Sequence, residues 1–355
     1  MTGLTQVAIT ARKSIRYIIY FIVFLTIGRI LLTAAIATYL RVFPPGPAAA
    51  SVKFGKLTKI PFPQNSPNAK LNFTLETATG SLPTNNGQAK VYFMPKVNPN
   101  LLSLDNAKSK ARSMGFNDPN PIQESDTLYK FRNADLPSTL EMNIVTGAFS
   151  ISYDLTADRT AIINRPPAAE VAEEEFKSIL SGASILPEDL SGPMVPDYLK
   201  LESGALARVL ALSEADVTKV NIFRKPYNKL PSLTASPDKA NVWAMIGGGQ
   251  TKEQKIIASE YHYFPVDESQ SSTYPIITPA EAFSALQEGK AFIASLGQYK
   301  EGDALKIRKV YLAYFDPEVP SDFYEPIYVF DSGENDPDNS FIGYIPAITS
   351  VYYGD

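Results

Sequence analysis

Residues Tyr17 to Leu40 read YIIYFIVFLTIGRILLTAAIATYL, 24 residues with a single charge, Arg29. At 1.5 Å per helical residue the stretch is about 36 Å long, enough to cross a hydrocarbon core of roughly 30 Å with some tilt. No second run of this kind occurs in the chain. Arg12, Lys13 and Arg16 stand just before it. Positive charge favours the cytoplasmic side, so the expected topology is N-terminus inside and residues 41–355 outside. A cleavable signal peptide is the competing reading, with Ala35-Ile36-Ala37 or Ala48-Ala49-Ala50 as its small-residue site. Its apolar core would be shorter, about 7–15 residues, so the length favours an uncleaved anchor. Arg29 sits near mid-span, where a charge is costly and marks a functional position by default. It either snorkels to the interface or meets a carboxylate or carbonyl on a partner's helix.

Charge divides the chain sharply. Five of the 33 Lys and Arg lie in residues 1–41 and none of the 37 Asp and Glu, so the remaining 314 residues carry 28 basic against 37 acidic side chains, a net charge of −9. An acidic ectodomain argues against nucleic acid as a partner, because that needs a basic surface. With no cysteine, disulfides, thiolate catalysis, Cys-based zinc sites and iron–sulfur clusters are excluded. At 45% hydrophobic and 20% charged, the outer part can bury real cores.

The expected organisation is a cytoplasmic N-terminus (1–16), the transmembrane helix (17–40), a Pro-rich spacer (41–67), a first α+β module (68–165) and a second (166–355). Pro44-Pro45-Gly46-Pro47 breaks the helix, and Phe54, Leu57, Ile60 and Phe62 suggest that the spacer docks on the first module. Leu71–Thr77 alternates apolar and polar residues and pairs, by expectation, with Gln88–Met94 across the turn at 84–87. Ser103 is the expected cap of a helix with Leu104, Ala107, Ala111 and Met114 on its apolar face, stopped by Gly115. Leu128–Phe131 and a hairpin at 140–153 complete the first module. The second opens with a helix over 168–181, whose Glu170, Glu173, Glu174 and Glu175 read as a solvated acidic face. Strands follow near 198–212, 217–223, 242–246 and 255–264. Thr278-Pro-Ala-Glu281 is a capping box with proline at the first helical position. Strands over 305–315, 326–330 and 341–345 come after it, and Val310–Phe315, apolar on both faces, is expected to be covered on two sides. The fold class is α+β: one transmembrane helix, then an antiparallel-sheet ectodomain of two modules with helices packed on the sheets. Helix, glycine stop and antiparallel strands recur in both modules, consistent with a divergent duplication.

Tyr274-Pro-Ile-Ile-Thr-Pro-Ala-Glu-Ala-Phe-Ser-Ala-Leu-Gln-Glu-Gly289, Ile307-Arg-Lys-Val-Tyr-Leu-Ala-Tyr314 and Glu325-Pro-Ile-Tyr-Val-Phe330 together resemble the YycI-type regulators and related PepSY-like domains. The resemblance covers about residues 274–346. It implies an extracytoplasmic regulatory domain on one N-terminal helix, not an enzyme, acting on a membrane histidine kinase through helix and ectodomain contacts. The arginine in the anchor, the long middle sheet and the Pro-rich spacer are departures from that pattern.

Four features invite a chemical reading. His262, the only histidine, lies in Glu260-Tyr-His-Tyr-Phe264 with no Gly-x-Ser-x-Gly elbow, and reads as a strand residue among tyrosines. Ser236-Pro-Asp-Lys239 matches Ser-x-x-Lys by chance, in a loop without the supporting motifs. Gly247-Gly-Gly-Gln-Thr-Lys252 lacks the phosphate-loop spacing and reads as a hairpin turn. Asp331, Glu334, Asp336 and Asp338 offer oxygen ligands for calcium, but not at EF-hand spacing, and an exposed acidic turn is the favoured reading. No catalytic residue and no cofactor is assigned. The functional expectation is a single-pass protein, held in membrane lipid through residues 17–40. Its ectodomain binds another envelope protein and modulates or scaffolds a membrane complex. A cell-envelope enzyme acting on wall polymer or peptide, and a structural subunit of an envelope assembly, are the alternatives.

Overall fold

The structure, a computed structural model, describes residues 3–42, 49–64, 71–334 and 339–354. It has two compact units, residues 1–49 and 50–355.

The first unit is one helix, Gly3–Val42. It starts well before the apolar stretch, because residues 4–16 contain neither proline nor glycine and helix propagates once nucleated. The expected separate segment 1–16 is therefore helical from Gly3 onward. Within it, Arg12–Arg41 has a mean hydropathy of 2.2 and is nowhere buried, a helix long and apolar enough to span a membrane. Its threonines satisfy their own hydroxyls. Thr26 Oγ1 donates to the Val23 carbonyl at 2.8 Å, Thr33 Oγ1 to that of Arg29 at 2.9 Å, and Thr38 Oγ1 to that of Ala34 at 2.8 Å. Such back-bonding is what a hydroxyl needs where no water is at hand. The expected break at Pro44–Pro47 lies outside the described residues.

The second unit is sheet-rich and mostly antiparallel. Its largest sheet has nine strands in the spatial order Ile122–Gln123, Leu128–Arg132, Ser138–Asn143, Phe149–Tyr153, Ile256–Tyr261, Val242–Gly247, Val217–Ile222, Met194–Glu202 and Ala205–Val209. Two helices, Ser103–Ser113 and Ala169–Gly182, bury Ala107, Ala111, Phe176 and Leu180 on one face of it, against Phe131, Leu140, Val220 and Ala244. The sheet is two helix-then-meander units joined edge to edge where Phe149–Tyr153 meets Ile256–Tyr261. The expected module boundary at residue 165 therefore does not divide the sheets. The cross-strand pairs on either side of it share one core, which neither half could bury alone.

The second layer is a five-stranded sheet in the order Ser232–Leu233, Lys309–Phe315, Pro326–Asp331, Ile342–Pro346 and Phe292–Ser295. Residues Pro326 to Phe330 are buried on both faces. One face meets the helix Pro279–Gln287 through Ala282, Leu286, Tyr328, Phe330 and Phe341. The other carries Phe315, Ile327, Val329 and Tyr344, covered by Ile60 and Phe62. Val310–Phe315 is covered on two sides, as its all-apolar pattern requires.

Several local expectations are corrected. Asn72–Leu75 and Gln88–Phe93 do not form a hairpin. The former runs parallel to Ala304–Ile307, the latter lies between Asp267–Pro275 and Phe323–Tyr324, and each finds a deeper apolar layer there than the other could offer. The strand expected near 198–212 is a hairpin, turned by Ser203 and Gly204 at φ 53° and 87°, the left-handed pair that a tight two-residue turn demands. Ser103 does not cap its helix; its hydroxyl accepts from the Asn100 N–H at 3.0 Å. The spacer residues dock on the C-terminal layers: Phe62 stacks on Phe292 at 4.8 Å, and Phe54 lies 5.3 Å from Phe323.

The capping box at Thr278 forms in full. Thr278 Oγ1 accepts from the Glu281 N–H at 3.2 Å, and Glu281 Oε2 accepts from the Thr278 N–H at 2.7 Å. Hydrogen bonds from Thr278 hold the Glu281 carboxyl below the usual carboxylate range. Thr278→Ala should lower stability by about 0.5–2 kcal/mol, read as the shift in urea midpoint at unchanged slope. An unaltered midpoint would show that the box contributes nothing.

Candidate functional site

Arg29 is the singled-out residue of the helix. It is exposed, in a helix with no acidic residue from Gly3 to Val42. Its guanidinium carries five fixed donors, and no acidic side chain of its own helix can serve them.

In the second unit the largest buried charge is Arg224, 2% exposed. It follows the strand Val217–Ile222 and lies where three strand ends of two sheets converge. Its Nε donates to Asp316 Oδ1 at 2.7 Å, Nη1 to Asp189 Oδ2 at 2.6 Å and Nη2 to the Phe264 carbonyl at 2.5 Å. Tyr227 and Tyr263 donate to the two oxygens of Asp189 at 2.7 and 2.8 Å. The guanidinium carbon lies 4.2 Å from the centre of the Tyr263 ring. Burial pushes Asp316 up to about 6, against the guanidinium that holds it down. The cluster joins the two sheets, and at its edge the buried Tyr324 hydroxyl and Asn241 Oδ1 have no partner among the described residues.

Several clefts border this domain, one of about 540 Å³ beside Gly115, Asn133, Asp135, Thr251 and Glu253. A groove of about 270 Å³ runs between the helix Ala169–Gly182 and the one-turn helix Lys252–Lys255, lined by Val171, Glu175, Ile179, Ile246, Lys255 and Ile256. It continues past Ser178, Ile179 and Lys252 into a smaller recess of about 120 Å³ beside Met114 and Gly182. Lys255 Nζ pairs with Glu175 Oε1 at 2.5 Å, while the buried Glu175 Oε2 has no partner among the described residues. Glu175 therefore serves the groove rather than a solvated face. Its pairing spans 80 residues and left no local signal. A further cleft, about 300 Å³, is lined by Glu141, Ser150, His262, Phe264 and Glu318. Asp189, Asp316 and Glu325 line none of these clefts, so no pair of buried carboxylates faces an open volume in them.

The other singled-out residues separate. His262 lies one residue past its strand, and its Nδ1 is 3.2 Å from the Glu318 carbonyl. Ser236 and Lys239 close a turn, and the Lys239 ammonium is directed to Glu260 Oε2 at 2.8 Å. The glycine run is a strand connection packed backbone to backbone: a Cβ on Gly248 would lie 2.0 Å from the Asn164 carbonyl oxygen. In the acidic turn, Asp331 Oδ1 accepts from the Gly333 N–H at 2.6 Å and from Ser340 Oγ at 2.9 Å, and Glu334 pairs with Arg308 at 2.8 Å. Asp336 and Asp338 lie outside the described residues. Among the described residues no group of three or more metal-ligating side chains occurs.

Sequence reasoning missed Glu325. It is 1% exposed and has no cation beside it among the described residues; its Oε2 accepts from the Tyr353 hydroxyl at 2.9 Å, and Oε1 has no partner there. Burial pushes its carboxyl up to about 8.

No protein-family profile matches the chain, and no curated protein does. Among solved structures it is similar to an uncharacterized protein from Eubacterium rectale, at 13% identity over 74% of this chain and 84% of that one, with a TM-score of 0.39.

The buried cluster yields a prediction. Arg224→Met leaves Asp189 and Asp316 buried without their cation, a loss worth about 3–5 kcal/mol. Trp243, the only tryptophan, lies in the nine-stranded sheet and reports unfolding by fluorescence. The expected outcome is a large fall in urea midpoint. A change under about 1 kcal/mol would mean that packing alone joins the sheets.

Proposed function

We propose that this protein is a single-pass membrane protein whose extracytoplasmic α+β domain binds another envelope protein and so modulates or scaffolds a membrane complex. The observation that carries the reading is Arg29, an exposed guanidinium in mid-helix with no acidic residue on its own helix. A passive tether needs only length and apolarity. A central arginine costs roughly 2.5–3.5 kcal/mol on insertion, so its presence fits a partner that supplies a carboxylate or carbonyl. The groove beside Lys252–Lys255, with apolar walls and an ion-paired floor, is a second place where a protein segment would fit.

Orientation rests on Arg12, Lys13 and Arg16. Protease added outside intact cells or spheroplasts should remove residues beyond about 50 and spare the N-terminus. Protection of the domain with cleavage of the N-terminus would reverse the topology.

Arg29→Leu should insert at least as well as the wild type but lower the yield of co-purifying partner from solubilised membranes. Arg29→Lys should lower it less, since lysine keeps the charge and loses the planar fork. Equal yields for wild type and Arg29→Leu at matched expression would reduce the helix to a tether.

A further inference from the structure

The segment that follows the apolar helix is strapped to the domain by the last described residues. Leu57, 1% exposed, pairs in parallel with Tyr353. The Leu57 N–H donates to the Tyr352 carbonyl and the Gly354 N–H to the Leu57 carbonyl, both at 2.8 Å. Lys56 Nζ donates to the Val351 carbonyl. Tyr274 adds a second grip, its hydroxyl donating to the Gly55 carbonyl at 3.1 Å and its ring meeting Tyr352 edge-on at 5.6 Å. Glu325 lies beneath this strap, held to it by the single hydrogen bond with Tyr353.

We infer that Glu325 is a protonation-controlled latch: with its carboxyl neutral the strap 350–354 stays closed over Leu57, and ionisation of the carboxyl releases it. Among the described residues, no cation acts on the Glu325 carboxyl. Tyr353 comes from the strap and Tyr274 from the strand Asp267–Pro275, while Lys56 Nζ donates to the Val351 carbonyl of the strap. An ionised carboxylate here would be buried on one neutral hydrogen bond with its other oxygen unserved, an arrangement that expels either the charge or its cover. The cover can leave, because the strap is a short surface segment whose lifting admits water to both oxygens.

The sign follows from linkage. Closed, the carboxyl keeps its proton up to about 8; lifted, it returns toward the ordinary 4.5 and gives the proton to bulk water. Opening is therefore favoured as pH rises from about 4.5 to about 8, by close to tenfold per pH unit, and levels off above that. Acid closes the latch; neutral and mildly alkaline conditions loosen it.

The test is hydrogen exchange of the full chain in detergent micelles between pH 5 and 9, with rates normalised to the intrinsic base-catalysed rate. The Leu57 and Gly354 amides should lose protection by about tenfold per pH unit up to about 8, then no further. The Val220 and Ala244 amides of the nine-stranded sheet should keep theirs. In E325Q, which is neutral throughout, the Leu57 and Gly354 amides should show no such slope. Wild-type protection that stays constant from pH 5 to 9 overturns the latch whether or not the variant folds. An E325Q profile as steep as the wild type's also overturns it.

Discussion

The second unit depends on one buried guanidinium. Arg224 gathers the ends of Val217–Ile222, Lys309–Phe315 and the segment after Ile256–Tyr261, and it does so with charge rather than with apolar area. A buried ion cluster of this sort is a demanding joint: desolvation is offset only when nearly every donor and acceptor is met with good geometry. That demand fixes how the two large sheets meet. Around it, tyrosine takes the place that leucine or phenylalanine would hold in a plain core. Tyr227 and Tyr263 supply both ring area and hydroxyls, Tyr324 supplies its ring, and Tyr314 stacks on Tyr324 at 5.2 Å. Gly192 belongs to the same joint, because a Cβ there would lie 2.1 Å from the Arg224 carbonyl oxygen.

Local structure was legible wherever it is decided by neighbours in sequence. The apolar run of the anchor, the hairpin at 138–153 and the box at Thr278–Glu281 each carry their cause within a dozen residues. The limits of legibility appear at pairings decided by burial across the chain. Asn72 meets Ala304, and Gln88 meets Pro275; alternation alone announces a strand without naming its partner. The helix-then-meander pattern, noticed twice in the sequence, in fact occurs three times, after 103–113, 169–182 and 279–287. The middle instance was obscured because Ser203-Gly204 splits a run that looked continuous. Of the site residues, Arg29 is visible because an isolated charge stands out in an apolar run. Arg224 and Glu325 are ordinary charges in sequence, and only burial sets them apart.

Functionally, the two units divide the work that the proposed reading needs. The helix offers one polar contact and otherwise only length. The domain offers a groove with apolar walls in which Lys255 is paired with Glu175.

The parallel strand Asn72–Leu75 and the strap over Leu57 together set an order of assembly. Both bind the start of the domain to residues made more than 200 positions later, 304–307 and 352–354. During synthesis the opening segment thus emerges with its apolar side chains, Leu57 and Phe73 among them, still lacking their partners. Hairpins with contacts near in sequence can form as they appear, but closure over Asn72–Leu75 and Leu57 waits for residues 304–307 and 352–354. An intermediate that lacks residues 304–307 and 352–354 leaves Phe73 and Leu57 uncovered, and synthesis of those residues is what shuts the domain.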